Sequence, residues 1–167
     1  MPSMFFNDVE VAKIAANMER HGLRFYAEAA RKAKDPSVKK VFLELAEDEK
    51  QHIALFEALQ QQLLEEPREQ SYLDSDELDV YIQRLVETQV FADEGAVARL
   101  VSQIDSDIGA LGVGMRAERD ALLFYQEMLG FTDSRAARET LSKIIDEERR
   151  HLVELAERSE ACEKLRG

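Results

Sequence analysis

One stretch, Glu49-Lys50-Gln51-His52, limits what this chain can become, because it returns as Glu148-Arg149-Arg150-His151. A Glu and a His at i and i+3 of a helix project from one face, a turn apart. Each copy interrupts an otherwise apolar heptad run. The first is Val38, Phe42, Leu45, Glu49, His52, Phe56, Leu59 and Leu63; the second is Ala137, Leu141, Ile144, Glu148, His151 and Leu155. Both runs put a carboxylate and an imidazole where a helical bundle needs apolar side chains. Burying such groups is costly unless something compensates them, and a bound metal is the natural partner of facing Glu and His.

The repeat is longer than the motif. Glu19/Glu118, Arg20/Arg119, Phe25/Phe124, Tyr26/Tyr125, Glu28/Glu127, Glu49/Glu148 and His52/His151 all stand 99 positions apart, with no gap. Two similar helical hairpins follow from such a repeat. Asn7 or Asp8 caps a first helix over about 8–34, and Asp35 with Pro36 opens a second over 36–65, closed by Pro67. Asp105-Ser106-Asp107 caps a third over 107–130, and Thr132-Asp133-Ser134 restarts the chain into a fourth over 134–162. Residues 66–105 read as a crossover with helices of its own, one starting at Asp74-Ser75-Asp76-Glu77 and another continuing over 96–104 after an interruption at Gly95. Gly109, Gly112 and Gly114 serve either a close helix contact or a mobile entrance. The expectation is one domain spanning 1–167: an all-α, antiparallel four-helix bundle of the ferritin-like type, with one long helical crossover between helices 2 and 3.

Composition removes other classes. A formal net charge of −12 argues against nucleic acid as a partner. No apolar run approaches the roughly 20 residues of a membrane span, and the acidic residues among Met1–Glu10, without a basic region, give no sign of a signal peptide. A single cysteine, Cys162, fits a reducing, cytoplasmic compartment and rules out a four-cysteine metal module within these residues.

The constellation sets its own charge arithmetic. Four carboxylates balance two divalent ions, and neutral imidazoles add donors without charge. Glu19 with His52 and Glu118 with His151 are expected to hold one metal each, with Glu49 and Glu148 bridging. Mixed oxygen and nitrogen ligation suits two iron ions, with manganese as the alternative. Asp48 is expected to orient His151, and Glu147 to orient His52. Tyr26 and Tyr125, two turns from Glu19 and Glu118, reach across the core as ligand partners or electron sources. His21 has no mate at metal-ligand spacing and reads as exposed.

These residues resemble the rubrerythrin-type branch of the ferritin-like superfamily over about 8–62 and 106–160. The resemblance rests on Met18-Glu19-Arg20 through Phe25-Tyr26, on Ala46-Glu47-Asp48-Glu49-Lys50-Gln51-His52, and on their second-half counterparts. It implies a di-iron site that reduces hydrogen peroxide or dioxygen, commonly in homodimers. Full rubrerythrins also carry a rubredoxin-like iron–cysteine module. A chain with one cysteine lacks it, so electrons would come from a separate donor protein. Those proteins hold an additional carboxylate one turn after the third-helix Glu, where this chain has Ala121. The symmetric ligand set is nearer to that of bacterioferritin, which implies ferroxidase chemistry as the alternative. A non-catalytic, metal-stabilised binding bundle is the third reading.

Overall fold

Each long helix starts where a side chain can take up the free N–H groups of its first turn. The computed structural model describes residues 6–66 and 76–167; Pro67, Asp74 and Ser75, given roles above, lie outside them. Helix α1 (Asp8–Lys32) is capped by Asn7, which accepts from the Glu10 N–H at 3.0 Å. Helix α2 (Pro36–Glu65) is capped by Asp35, which accepts from the Ser37 N–H at 2.7 Å, with Pro36 in its first turn. The crossover holds α3 (Asp76–Glu87) and α4 (Glu94–Gln103). Helix α5 (Asp107–Phe131) begins at Ser106 and α6 (Arg135–Lys164) at Ser134, each hydroxyl accepting from an N–H three residues on. Every regular element among the described residues is a helix.

The repeat is carried into the boundaries themselves. Helices α1 and α5 are 25 residues each, α2 and α6 are 30, and the start and end of each pair differ by 99. Four expected limits of the long helices move, the third helix running one residue past 130 to Phe131. The first helix stops at Lys32 instead of 34, because a residue before proline is driven out of the helical region and Asp35 takes an extended backbone. The last helix begins at Arg135, Ser134 being its cap, and runs past Cys162 to Lys164. In the crossover, Gly95 does not interrupt the helix. The break is the turn over 88–93, and Asp93 caps α4 by accepting from the Ala96 N–H at 2.7 Å, which leaves Gly95 inside the first turn.

Side-chain pairings fix the directions. Tyr26 meets Glu118 and Tyr125 meets Glu19, so α1 and α5 run antiparallel. His52 meets Glu147 and His151 meets Asp48, so α2 and α6 do too. Both hairpins are antiparallel, which makes α2 and α5 parallel across the diagonal. The chain must therefore climb the length of α2, about 45 Å at 1.5 Å per residue, before α5 can begin, and α3 and α4 are that climb. Small residues let α1 lie close on its neighbours, with Ala12, Ala15, Ala16, Ala29 and Ala30 all buried. Gly114 resolves one open question in favour of close contact: a Cβ there would sit 3.2 Å from both Leu155 and Tyr26.

Two apolar clusters form the core. One gathers Phe56, Leu59, Phe124, Tyr125 and Leu141, and α3 adds Ile82 to it. The other gathers Phe25, Tyr26, Phe42, Leu111 and Leu155, and α4 adds Val97. Between them lies a polar layer. No described helix is long and apolar enough to cross a membrane.

Candidate metal centre

That layer is made of the six residues singled out by the repeat. Glu19, Glu49, His52, Glu118, Glu148 and His151 are between 0% and 5% exposed, although they are ionisable. Heptad spacing places them inward, and helix direction brings the two halves face to face. Ligand atoms of Glu19, Glu49, His52 and Glu148 all lie within 4.8 Å of one another, and so do those of Glu118, Glu148 and His151. Glu148 belongs to both groups. Glu49, its repeat mate, stands in the first group only.

The surrounding contacts obey the twofold relation of the halves. Tyr26 donates to Glu118 and Tyr125 donates to Glu19. Both rings are fully buried, one above the layer and one below it. His52 Nε2 lies 2.7 Å from Glu147, and His151 Nε2 lies 3.1 Å from Asp48. These are the orienting contacts expected for Asp48 and Glu147. With Nε2 given to those carboxylates, each Nδ1 faces the glutamates, where a bound cation would take the place of its proton. The rings stack with centroids 5.6 Å apart.

Electrostatics show how poorly such a layer stands alone. Burial pushes the Glu49, Glu118 and Glu148 carboxyls above the usual carboxylate range, and repulsion from Glu19 or Glu148 adds to it. Burial also opposes charge on Glu19, but hydrogen bonding from Glu49 and His52 outweighs it and holds Glu19 low. Burial works against a charged His52 as well; the Glu148, Glu19 and Glu49 carboxylates around it reverse that and push its pKa up. Burial and neighbouring carboxylates push both phenols well up, so Tyr26 and Tyr125 stay protonated. Protons thus gather where positive charge is wanted. Among the described residues, Glu49 Oε2 and Glu148 Oε1 still have no hydrogen-bond partner, Glu148 Oε1 lying 3.0 Å from His52 Nδ1 without the geometry of one. Buried carboxylate oxygens without donors, beside inward imidazole nitrogens, fit a metal cation.

A family model described as Rubrerythrin matches residues 10–158. The chain belongs to the rubrerythrin family. Membership places it among the ferritin-like di-iron carboxylate proteins, and the buried Glu/His cluster is compatible with iron. Among solved structures, the crystal structure of a DUF305 fragment from Deinococcus radiodurans is similar with a TM-score of 0.68, covering 96% of this chain and 97% of that one at 15% identity. That likeness bears on the fold alone. No curated protein gives a significant match.

Two residues of this rubrerythrin-family site escaped the sequence. His21 is half-buried instead of exposed, and its Nδ1–H donates to the Phe91 carbonyl at 3.1 Å. Gly22 faces the metal layer, where a Cβ would come within 2.8 Å of Glu49 Oε1. Its mate 99 positions on is Ala121, so the repeat itself held the signal: a symmetric ligand pair next to an asymmetric small residue. Gly22→Ala should favour the helix locally, by up to about 1 kcal/mol, yet weaken metal binding, because Glu49 must move. Metal titration alongside thermal melting checks this; unchanged affinity would mean Glu49 adjusts without cost.

Proposed function

We propose that the chain is a di-iron oxidoreductase that reduces hydrogen peroxide or dioxygen with electrons from a separate donor protein. The observation that carries this reading is the doubled, twofold-related set of buried ligands with donorless carboxylate oxygens. In it Glu19, Glu49 and His52 would hold one ion, Glu118 and His151 would hold the other, and Glu148 would be shared. Two ferrous ions, when bound, would supply one electron each to the O–O bond of peroxide, which leaves as water after taking up two protons.

The protein's own part is to position and to exclude water. Glu147 and Asp48 fix the imidazole rings from the α2/α6 side. Tyr26 and Tyr125 fix Glu118 and Glu19 from above and below, and their hydroxyls are the nearest protonated groups to the layer on those sides. We place them as the candidate catalytic residues, as proton or electron sources. The bundle shields the layer, which strengthens each electrostatic contact within it. A homodimer in a reducing cytoplasm is part of the same reading.

Stopped-flow oxidation of the di-ferrous protein tests it. Peroxide is expected to react faster than dioxygen, with no mineral core. Equal rates would leave a general di-iron oxidase. Uptake of many irons per chain would favour the ferroxidase reading, which the symmetric ligand set also supports. No reaction with either oxidant would reduce the centre to a structural role.

A further inference from the structure

The oxidant has to reach carboxylates that are at most 4% exposed. A cavity of about 30 Å³ adjoins them between α1 and α5. Its floor is Glu19, Glu49, Glu118 and Glu148, and its walls include Gly22, Ala117 and Ala121. Its roof is the turn between α3 and α4, through Gln89, Val90 and Phe91. Neither metal-layer histidine lines it; they anchor on the opposite, α2/α6 side.

The roof is fastened to both helices. From α1, His21 donates to the Phe91 carbonyl at 3.1 Å. From α5, Asp120 accepts the Val90 N–H at 2.7 Å. Phe91 packs on Phe25 with ring centroids 4.9 Å apart. A turn held from two sides props the helices apart where their side chains are smallest. An ordinary packing void has apolar walls; this one has a floor of carboxylates and a polar group in its roof. Gln89 is 9% exposed, and among the described residues its amide N–H donates only to Met18 Sδ, at 3.5 Å, a weak acceptor that a better one displaces. A single water needs only about 10–15 Å³ of such space, so a two-atom molecule fits.

We propose that this chamber admits and holds the small oxidant, with the Gln89 amide donating a hydrogen bond to it. The inference rests on the metal-centre reading above, so its test has one arm that needs no metal. In the metal-free protein under dioxygen pressure, paramagnetic relaxation of the Ala117 methyl should exceed that of Ala29, which is buried and does not line the cavity. Ala121→Leu should abolish the excess. In the di-ferrous protein, with nitric oxide as the two-atom probe, Ala121→Leu should slow entry at least about tenfold. Gln89→Leu, which keeps the volume, should speed release about fivefold, the loss of one hydrogen bond. Metal content should match the parent in both variants. An Ala117 methyl relaxed no more than Ala29, or unchanged nitric oxide entry in Ala121→Leu, overturns the chamber. An unchanged release rate in Gln89→Leu overturns the amide's role. Failure to bind metal at all overturns the proposed function instead, and the dioxygen measurement then decides the chamber by itself.

Discussion

Replacing Glu148 by Ala should empty both halves of the metal centre. Its carboxylate is the one that stands in both ligand groups. Losing it removes a donor from each ion and one of the four negative charges that offset them. Removing a group that merely orients a ligand typically costs 10- to 100-fold in metal affinity, so a shared ligand should cost about 100-fold or more at both positions. Glu49→Ala should differ. Glu49 is grouped with Glu19, His52 and Glu148 and does not join the Glu118, Glu148 and His151 group, so an ion held by Glu118 and His151 should be largely spared. Metal content per chain, with titration of the metal-free variants, reads both outcomes. Wild-type affinity for two ions in Glu148→Ala would remove that residue from its bridging place.

The second large effect concerns the metal-free bundle, where ligand removal should leave the fold intact or strengthen it. Glu49, Glu118 and Glu148 have pKa values raised from an ordinary 4.5. A carboxyl with a raised folded pKa contributes stability below its unfolded value, and loses that contribution as pH climbs through the folded one. His52, also raised, acts in the same direction above its ordinary 6.5. Glu19, lowered, acts in the opposite direction on acidification. Three carboxyls and an imidazole outweigh one, so the melting temperature of metal-free protein should fall between roughly pH 5 and pH 8. Replacing Glu49 and Glu148 together with Leu should flatten that slope and raise stability, by about 1–4 kcal/mol on the precedent of buried charge clusters. Marked destabilisation by the pair, measured without metal, would show that these residues serve the fold first.

Much of this was legible in the residues because the repeat tests itself. One Glu-x-x-His on a charged helix means little, but the same register 99 positions later, with Glu and Tyr upstream at matching intervals, leaves few arrangements open. Helix starts were legible where Asn7, Asp35, Ser106 and Ser134 sit next to apolar periodicity. The crossover was harder to read, because it has no mate to check it against. Gly95 looked like a break, and the real break was set by Asp93, whose capping bond wins over a glycine's local preference. Gln89 and His21 carry no pattern at all. Their places come from a turn folding back onto two helices, which no interval along the chain encodes. Gly22 looked like any other small residue of α1 until the Glu49 carboxylate was found against it.

The two hairpins exchange parts. Each copy supplies one inward histidine, and the other copy supplies the carboxylate that aims it and the phenol that steadies its glutamate. A change to either copy's motif therefore disturbs contacts made by the other. The segment that climbs from α2 to α5 occurs once, and so can cover one face of a symmetric centre and leave the other without a counterpart. That single-copy segment is what makes the two faces of the layer different.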